Sequence, residues 1–447
     1  MKWNHASRLQ RIVTVLAGMA LSLLNLVGRL GADDFQGATH LIDFEQGIFS
    51  YSKSEPSGAV ARLDADLRKG LLNPRYDTNH GWLTGLLDHL KIPRSSQLII
   101  FSKSSLQRDR ISPTTPRALY FNDDFYIGYI PGSPILEISV ADPTLGGVFY
   151  SVDQGFRERP RLSRSEQCLE CHASGRTMGV PGHFARSFRT DESGRMEELS
   201  DVSPVTHRTP YSDRWGGWYV TGAPVGFAHR GNQFGAKEPP ASPVTDLSPY
   251  FEVSRYPVKS SDAVAHLVFE HQLHLHNYLT RLHCEARIQL SAYGHLDYLR
   301  NQIAAFLRYL LFTEEAPFPV ALDRSSAFAR EFSQAGLRDS TGRSLRDFDL
   351  HTRLFKYPCS YLIYSEAFDQ LPVPLRDRIY RQLYNILTGR NSSEEFRSLK
   401  PADRLAILEI LRDTKQGLPD YWSPGGGGLT DRTSLDRAPD VSPPRKP

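Results

Sequence analysis

Residues 118–152 read ALYFNDDFYIGYIPGSPILEISVADPTLGGVFYSV, and this stretch decides the fold. ALYF and FYIGYI flank Asn122-Asp123-Asp124, the composition of a hairpin turn. Pro131-Gly132-Ser133-Pro134 breaks the chain, ILEISVAD alternates, DPTLGG turns, and GVFYSV alternates again. Period-2 alternation punctuated by turn residues predicts three or four antiparallel strands in a meander. Upstream, Gln97–Ser102 (QLIIFS) is a short apolar run of strand type, and downstream Trp215–Thr221 (WGGWYVT) reads as a further strand.

Outside this sheet the pattern is helical. AVARLDADLRKGLL (59–72) and WLTGLLDHL (82–90) place apolar residues at helical spacing. From Ser261 onward the chain predicts helices at 261–292, 294–313, 325–335, 359–370, 375–388 and 402–415, with Asp262 as a cap and prolines between the segments. The expected class is α+β: an antiparallel-sheet domain at 33–230, a Gly/Pro/Ser-rich linker at 231–258, and an all-α domain at 259–422. The Gly/Pro-rich tail 423–447 is predicted to be disordered.

The chain has 447 residues, enough for two or three domains. Its 53 Lys and Arg against 50 Asp and Glu leave a net charge of +3, which offers no electrostatic footprint for nucleic acid. Four cysteines exclude a disulfide-stapled scaffold at this length. At the N-terminus Lys2, Arg8 and Arg11 precede an apolar run from Ile12 to Val27, the layout of an export signal occupying 1–32. A cleaved signal peptide and an uncleaved membrane anchor both remain open, and either puts the rest of the chain in the periplasm or outside the cell.

Cys168-Leu169-Glu170-Cys171-His172 is a C-x-x-C-H sequence, the signature of c-type haem attachment. Two thiols three positions apart reach the two vinyl groups on one edge of a porphyrin. The next residue then offers its imidazole to the iron as the proximal ligand. Three plainer readings compete. A structural zinc site needs two more close ligands, and Cys284 and Cys359 lie more than a hundred residues away in sequence. A dithiol redox pair lacks a thioredoxin-like βαβ setting, and a disulfide across two residues is strained. One motif implies one covalent haem.

A six-coordinate iron takes a second axial ligand, Met or His. Past residue 32 the only methionines are Met178 and Met196. Met178 follows His172 by six residues, and Met196 lies in a charged stretch. His183, in Val180-Pro181-Gly182-His183, is the first candidate, because eleven residues can round a porphyrin and Pro-Gly fixes a turn. His207 is the second, Met178 a third, and a vacant site or His229 stays open. For His183 and His207 a surface or propionate-contacting role is the bland alternative. Arg176, Arg186, Arg208 and Arg214 fit a solvated basic face better than propionate partners. The aromatics of Trp215-Gly216-Gly217-Trp218-Tyr219 suit either a haem lining or ordinary core packing.

His266, Glu270 and His274 share one helical face, which suits a metal site less well than an interhelix polar layer. Cys284 and Cys359 are candidates for a disulfide between two helices in an oxidising compartment.

The segments PRALYFNDDFYIGYIPGSPILEISVADPTLGGVFYSVDQ, CLECHASGRTMGVPGHFARS, RWGGWYVTG, EHQLHLHN and GRSLRDFDLHTRLFKYPCSYLIYS together resemble a group of exported bacterial proteins bearing a single cytochrome c-type motif. The likeness covers most of residues 50–422 and implies haem at Cys168, Cys171 and His172, but no defined activity. A weaker similarity is to haem c sensor domains of PAS or Cache type, where a strand such as GVFYSV shortly precedes the motif. The expected function is that of an exported monohaem c-type cytochrome passing single electrons to a redox partner protein the sequence does not identify. A haem-based redox or gas sensor signalling through the helical domain is the first alternative. A peroxidase-like oxidoreductase, with His271, His274 and His276 near an open iron site, is the second.

Overall fold

The computed structural model describes residues 42–423 except 71–72, 156–158, 198–200 and 236–241. The expected export signal at 1–32 and residues 424–447 of the expected tail therefore lie outside the described residues. Within them a seven-stranded antiparallel sheet runs in the order β6-β5-β4-β3-β2-β1-β9. Its members are β1 (Leu98–Ile100), β2 (Arg117–Phe121), β3 (Phe125–Tyr129), β4 (Ile135–Asp142), β5 (Gly146–Asp153), β6 (Leu162–Arg164) and β9 (Trp218–Tyr219). The expected meander is β2 to β5, joined by tight turns, and the two outlying strand segments appear as β1 and β9, which pair with each other. A second pair, β7 (Ala185–Ser187) with β8 (Val202–Val205), stands apart from the sheet.

Alternation sends side chains to two different cores. Leu98, Ile100, Leu119, Phe121 and Tyr126 join a cluster shared with the C-terminal helices. Ile99, Phe101, Ala118, Tyr120 and Ile127 face the other way, against helices α1 (Gly58–Lys69) and α2 (Leu83–His89). Both faces are covered, so β3 is buried at every position. The register Tyr126↔Ser139↔Phe149 puts Tyr126 and Phe149 on the face turned to the C-terminal helices.

After the short α3 (Leu169–His172), the central helix is α4 (Ala263–Tyr293), 31 residues long. Asp262 starts it by accepting from the Val264 and Ala265 amides, and left-handed Gly294 ends it. Most of its circumference is buried, as expected of a helix between a sheet and a helical layer. Around it pack α5 (Arg300–Leu310), α6 (Ala327–Gln334) and α7 (Glu366–Asp369), with α8 (Val373–Leu387) against α5 and α9 (Pro401–Thr414) against α8. The segment expected as one helix at 359–370 is split into a 3-10 turn, Tyr361–Tyr364, and α7. Ser360 and Ser365 each cap a new start with the side-chain hydroxyl.

The helical layer is bound directly to the sheet. Phe269 of α4 meets Phe121 at 5.2 Å, and Gln272 donates to the Tyr126 hydroxyl at 2.8 Å and to the Asn122 carbonyl at 2.9 Å. The stretch expected as a linker departs from expectation where it is described: Leu247, Phe251 and Tyr256 are buried in the second core. Isolated apolar residues among Gly, Pro and Ser gave no periodic signal, yet three of them suffice to pin the chain to the sheet. No helix among the described residues is long and apolar enough to cross a membrane.

Candidate functional site

The C-x-x-C-H segment follows β6 as the single helical turn α3. The His172 amide donates to the Cys168 carbonyl at 2.9 Å, so one turn carries both sulfurs and the imidazole. Cys171 is exposed, Cys168 half-buried, and both are free thiols. Burial raises the Cys168 thiol above its ordinary value, offset by a Ser165 contact.

Burial pushes the His172 imidazole down to about 4, against a smaller opposing effect from its bond to Gly182. The ring is therefore neutral near pH 7. Its Nδ1 lies 2.9 Å from the Gly182 carbonyl. A carbonyl only accepts, so the one proton sits on Nδ1 and Nε2 keeps its lone pair. That is the tautomer an iron-binding histidine needs, oriented by a backbone acceptor.

The chain then doubles back. Thr177 Oγ1 donates to the Val180 carbonyl at 2.7 Å, and the Gly182 amide donates to the His172 carbonyl at 2.8 Å. The loop Val180-Pro181-Gly182-His183 lies under the β4–β5 turn, where the Gly147 amide donates to Pro181 at 2.8 Å. A Cβ on left-handed Gly146 would fall 2.3 Å from the Pro181 oxygen, so this approach requires glycine there.

His183 is thereby brought beside His172, with ring centroids 6.1 Å apart. Phe149 is almost equidistant from the two rings, so it occupies the gap between them where a flat porphyrin would have to lie. His183 is only 5% exposed, and neither of its ring nitrogens has a hydrogen-bond partner among the described residues. Leaving a buried polar atom unpaired costs about 1–3 kcal/mol. Burial holds this imidazole well below its ordinary value, so it too is neutral. Phe149 stands 4.8 Å from His172 and 5.3 Å from His183, and Tyr126 stands 4.7 Å from His183. On the same sheet face Glu137, Ser139 and Ser151 are polar and half-buried. Arg117 pairs with Glu137 there. Two thiols on one turn and an imidazole in the ligand tautomer suit covalent attachment of an iron porphyrin at the motif, whereas the gap between His172 and His183 is filled by Phe149.

The other candidates lie elsewhere. Met178 is the left-handed residue ending the turn after the motif, and its side chain packs against the helical core. Met196 is exposed, its sulfur accepting from Arg186 at 3.2 Å. His207 is buried on the helical side: its Nδ1 lies 2.8 Å from Nδ1 of His271, and its ring stacks on Tyr309 at 4.0 Å. His271 continues to the Ser360 hydroxyl at 2.8 Å, and His276 Nε2 donates to the Asp123 carbonyl at 2.9 Å.

Several side-chain expectations change. Arg214 is not on a solvated face: it is 1% exposed and bonded to Glu270 at 3.0 Å. Arg176 and Arg186 both pair with Asp201, and Arg208 with Glu314. Glu270 is thus held by Arg214, and His266 contacts Ser261 at 3.0 Å. No group of three or more His, Cys, Asp or Glu side chains among the described residues is arranged to hold a metal ion, so the His266/Glu270/His274 face is a polar layer. Trp215 stacks on Phe227 at 5.7 Å and Trp218 packs near His266, both in the core. Cys284 and Cys359 are not paired. Cys284 sits with Ile42, Phe49 and Val180, whereas Cys359 lies in the helical core.

Sequence reasoning missed Asn277 of α4, which bonds both backbone groups of His183. Its only signal was proximity to the histidine-rich run, which says nothing about a loop 94 residues earlier. Comparison with protein-family models, with curated proteins and with solved structures found no match to this chain.

Proposed function

We propose that this chain is an exported monohaem c-type cytochrome, in which Cys168 and Cys171 would anchor the haem as thioethers, His172 would bind its iron, and His183 would be the second ligand once Phe149 turns out of the gap between them. A haem bound in this way supplies a one-electron Fe(III)/Fe(II) couple. The observation that carries the reading is the single turn holding Cys168, Cys171 and a His172 imidazole already in the ligand tautomer. His172 is oriented by Gly182, His183 is kept from water by Phe149 and Tyr126, and exposed Cys171 leaves the anchored edge open to a redox partner. The export segment supports a periplasmic or secreted location, with anchoring in the membrane as the alternative outcome.

The test is expression with cytochrome c maturation, followed by intact mass and visible spectra of the oxidised and reduced protein. The expected result is one added haem that survives denaturation and a six-coordinate low-spin spectrum in both states. A mass equal to the bare polypeptide would overturn the proposal. The contact of α4 with the His183 loop also favours a second reading, in which the iron reports its state to the helical layer. Carbon monoxide binding to the reduced wild-type protein, with a changed α-layer signal, would favour that version.

A further inference from the structure

We propose that the C-terminal end of α4, together with residues 42–51 packed beside it, is a surface that rests on a lipid bilayer. This rests on the export segment staying attached as a membrane anchor, and not on the haem. Large apolar side chains exposed singly are ordinary on a protein surface, whereas a cluster of them marks a contact. Among the described residues eleven such side chains are exposed, and four belong to this region: Ile48, Ile288, Tyr293 and Tyr298, at 41, 38, 59 and 65%. Arg287 donates to the Ile48 carbonyl at 2.8 Å and lies over the Phe49 ring at 5.2 Å. Ile288 comes one turn after Cys284, which packs with Ile42 and Phe49. Tyr293 and Tyr298 meet at 5.4 Å, and His295 stacks on Tyr293 at 5.9 Å. Residues 291–295 are all exposed, so the helix ends outside the core.

The chain end selects lipid as the occupant. Ile42 is the first described residue, and it is fixed at this patch by Phe49 and Cys284 and by its amide, which donates to the Gly179 carbonyl at 3.0 Å. Residues 33–41 alone separate it from the export segment, and a stretch of that length spans at most about 32 Å. A domain of this size is roughly 50 Å across. An anchored apolar run therefore holds this patch, and not the opposite side of the molecule, against the membrane surface. The chemistry agrees. Tyrosine rings sit at the level of lipid headgroups, and isoleucines enter the acyl boundary beside them. Glu285 is paired with Arg281 and Asp297 with Arg378. Arg287 and Arg300 add positive charge, while Asp43 and Glu45 are exposed acids. The balance makes the contact one of apolar and aromatic groups more than of charge.

The experiment places the full chain, with residues 1–32 shown to be present by intact mass, in vesicles of phosphatidylcholine and phosphatidylglycerol carrying a photoactivatable cross-linking lipid. Labelled peptides are then mapped by mass spectrometry. The expected result is label on the peptides holding Ile48 and residues 288–298, besides the export segment. None is expected on α9, where Leu405 is exposed to 53%. Combining Ile288→Ser with Tyr293→Ser, both at exposed positions, leaves the far-ultraviolet circular dichroism unchanged and lowers label at the helix end about tenfold. Label confined to residues 1–32, or shared equally with the Leu405 peptide, would overturn the inference. Cross-links from one chain to another at this patch, rising with protein density in the vesicle, would assign it to a second copy and overturn it as well. A mass lacking residues 1–32 would overturn the anchored reading beneath it, and the haem mass read in the same sample reports on the cytochrome reading separately.

Discussion

His172 donates from Nδ1 to the carbonyl of Gly182 at 2.9 Å, and Gly182 is the residue immediately before His183. One hydrogen bond therefore sets the tautomer of the first imidazole and the starting point of the second. The twelve residues from His172 to His183 close into a loop whose ends are held together at both backbone and side chain, since the Gly182 amide returns to the His172 carbonyl.

The two histidines offered as distal ligands make opposite predictions. His183→Ala is expected to convert the low-spin spectrum to a five-coordinate or water-bound one, with haem still attached. His207→Gln is expected to leave the spectrum unchanged, because His207 is engaged with His271 and stacked on Tyr309. Visible spectra of the two variants decide this, and an altered spectrum in His207→Gln alone would reverse the assignment.

Gly182→Ala places a Cβ 2.1 Å from Asn277 Oδ1. Crowding of this kind costs about 1–3 kcal/mol. Gly175→Ala is the control, since nothing lies within 4 Å of its added Cβ. Its effect should stay within about 0.5 kcal/mol. Denaturant unfolding measures both.

Thiol counting tests the anchors and the unpaired core cysteines together. If Cys168 and Cys171 are thioethers while Cys284 and Cys359 are free, the denatured holoprotein reacts with two equivalents of a thiol reagent. The native protein should react with almost none, because Cys284 and Cys359 are buried and burial raises both thiols, Cys284 to about 12. Zero equivalents after denaturation would indicate a Cys284–Cys359 disulfide. Four would indicate a chain without thioethers.

Acid should unfold this protein early. Burial lowers His266 to about 3, and His276 and His283 to about 4, from 6.5. The unfolded chain binds more protons than the folded one across that window. The stability these rings contribute is thus fully present above pH 6.5 and is lost as pH falls toward 4, and toward 3 for His266. The loss is about 1 kcal/mol per histidine per pH unit. Unfolding midpoints measured between pH 7 and 4.5 should fall steeply, and His276→Gln should make the slope shallower. A flat profile would show that these rings are not neutral in the folded protein.

Local chemistry made much of this molecule legible. The strands of residues 98–153 follow from alternation and turn residues, and the helices from apolar spacing, Asp262 and Gly294. The helical turn that carries Cys168, Cys171 and His172 follows from five adjacent residues. The splitting of 359–370 was less visible, because Ser360 and Ser365 only become caps once neighbouring packing leaves their hydroxyls turned back on the chain. Arg214 looked like one of several surface arginines, since nothing in its own segment announces Glu270 as a buried partner.

By itself, the amino-acid sequence determined the class of fold, the order of elements and the thiol-and-imidazole turn, all features set by interactions within a few residues. Only the tertiary structure decided that sheet and helices share one core, that His183 rather than His207 stands beside His172, and that Asn277 holds it there. The reason is range: a side chain's rotamer and partners depend on surfaces that meet after long loops close, and no spacing rule carries across the 94 residues between His183 and Asn277.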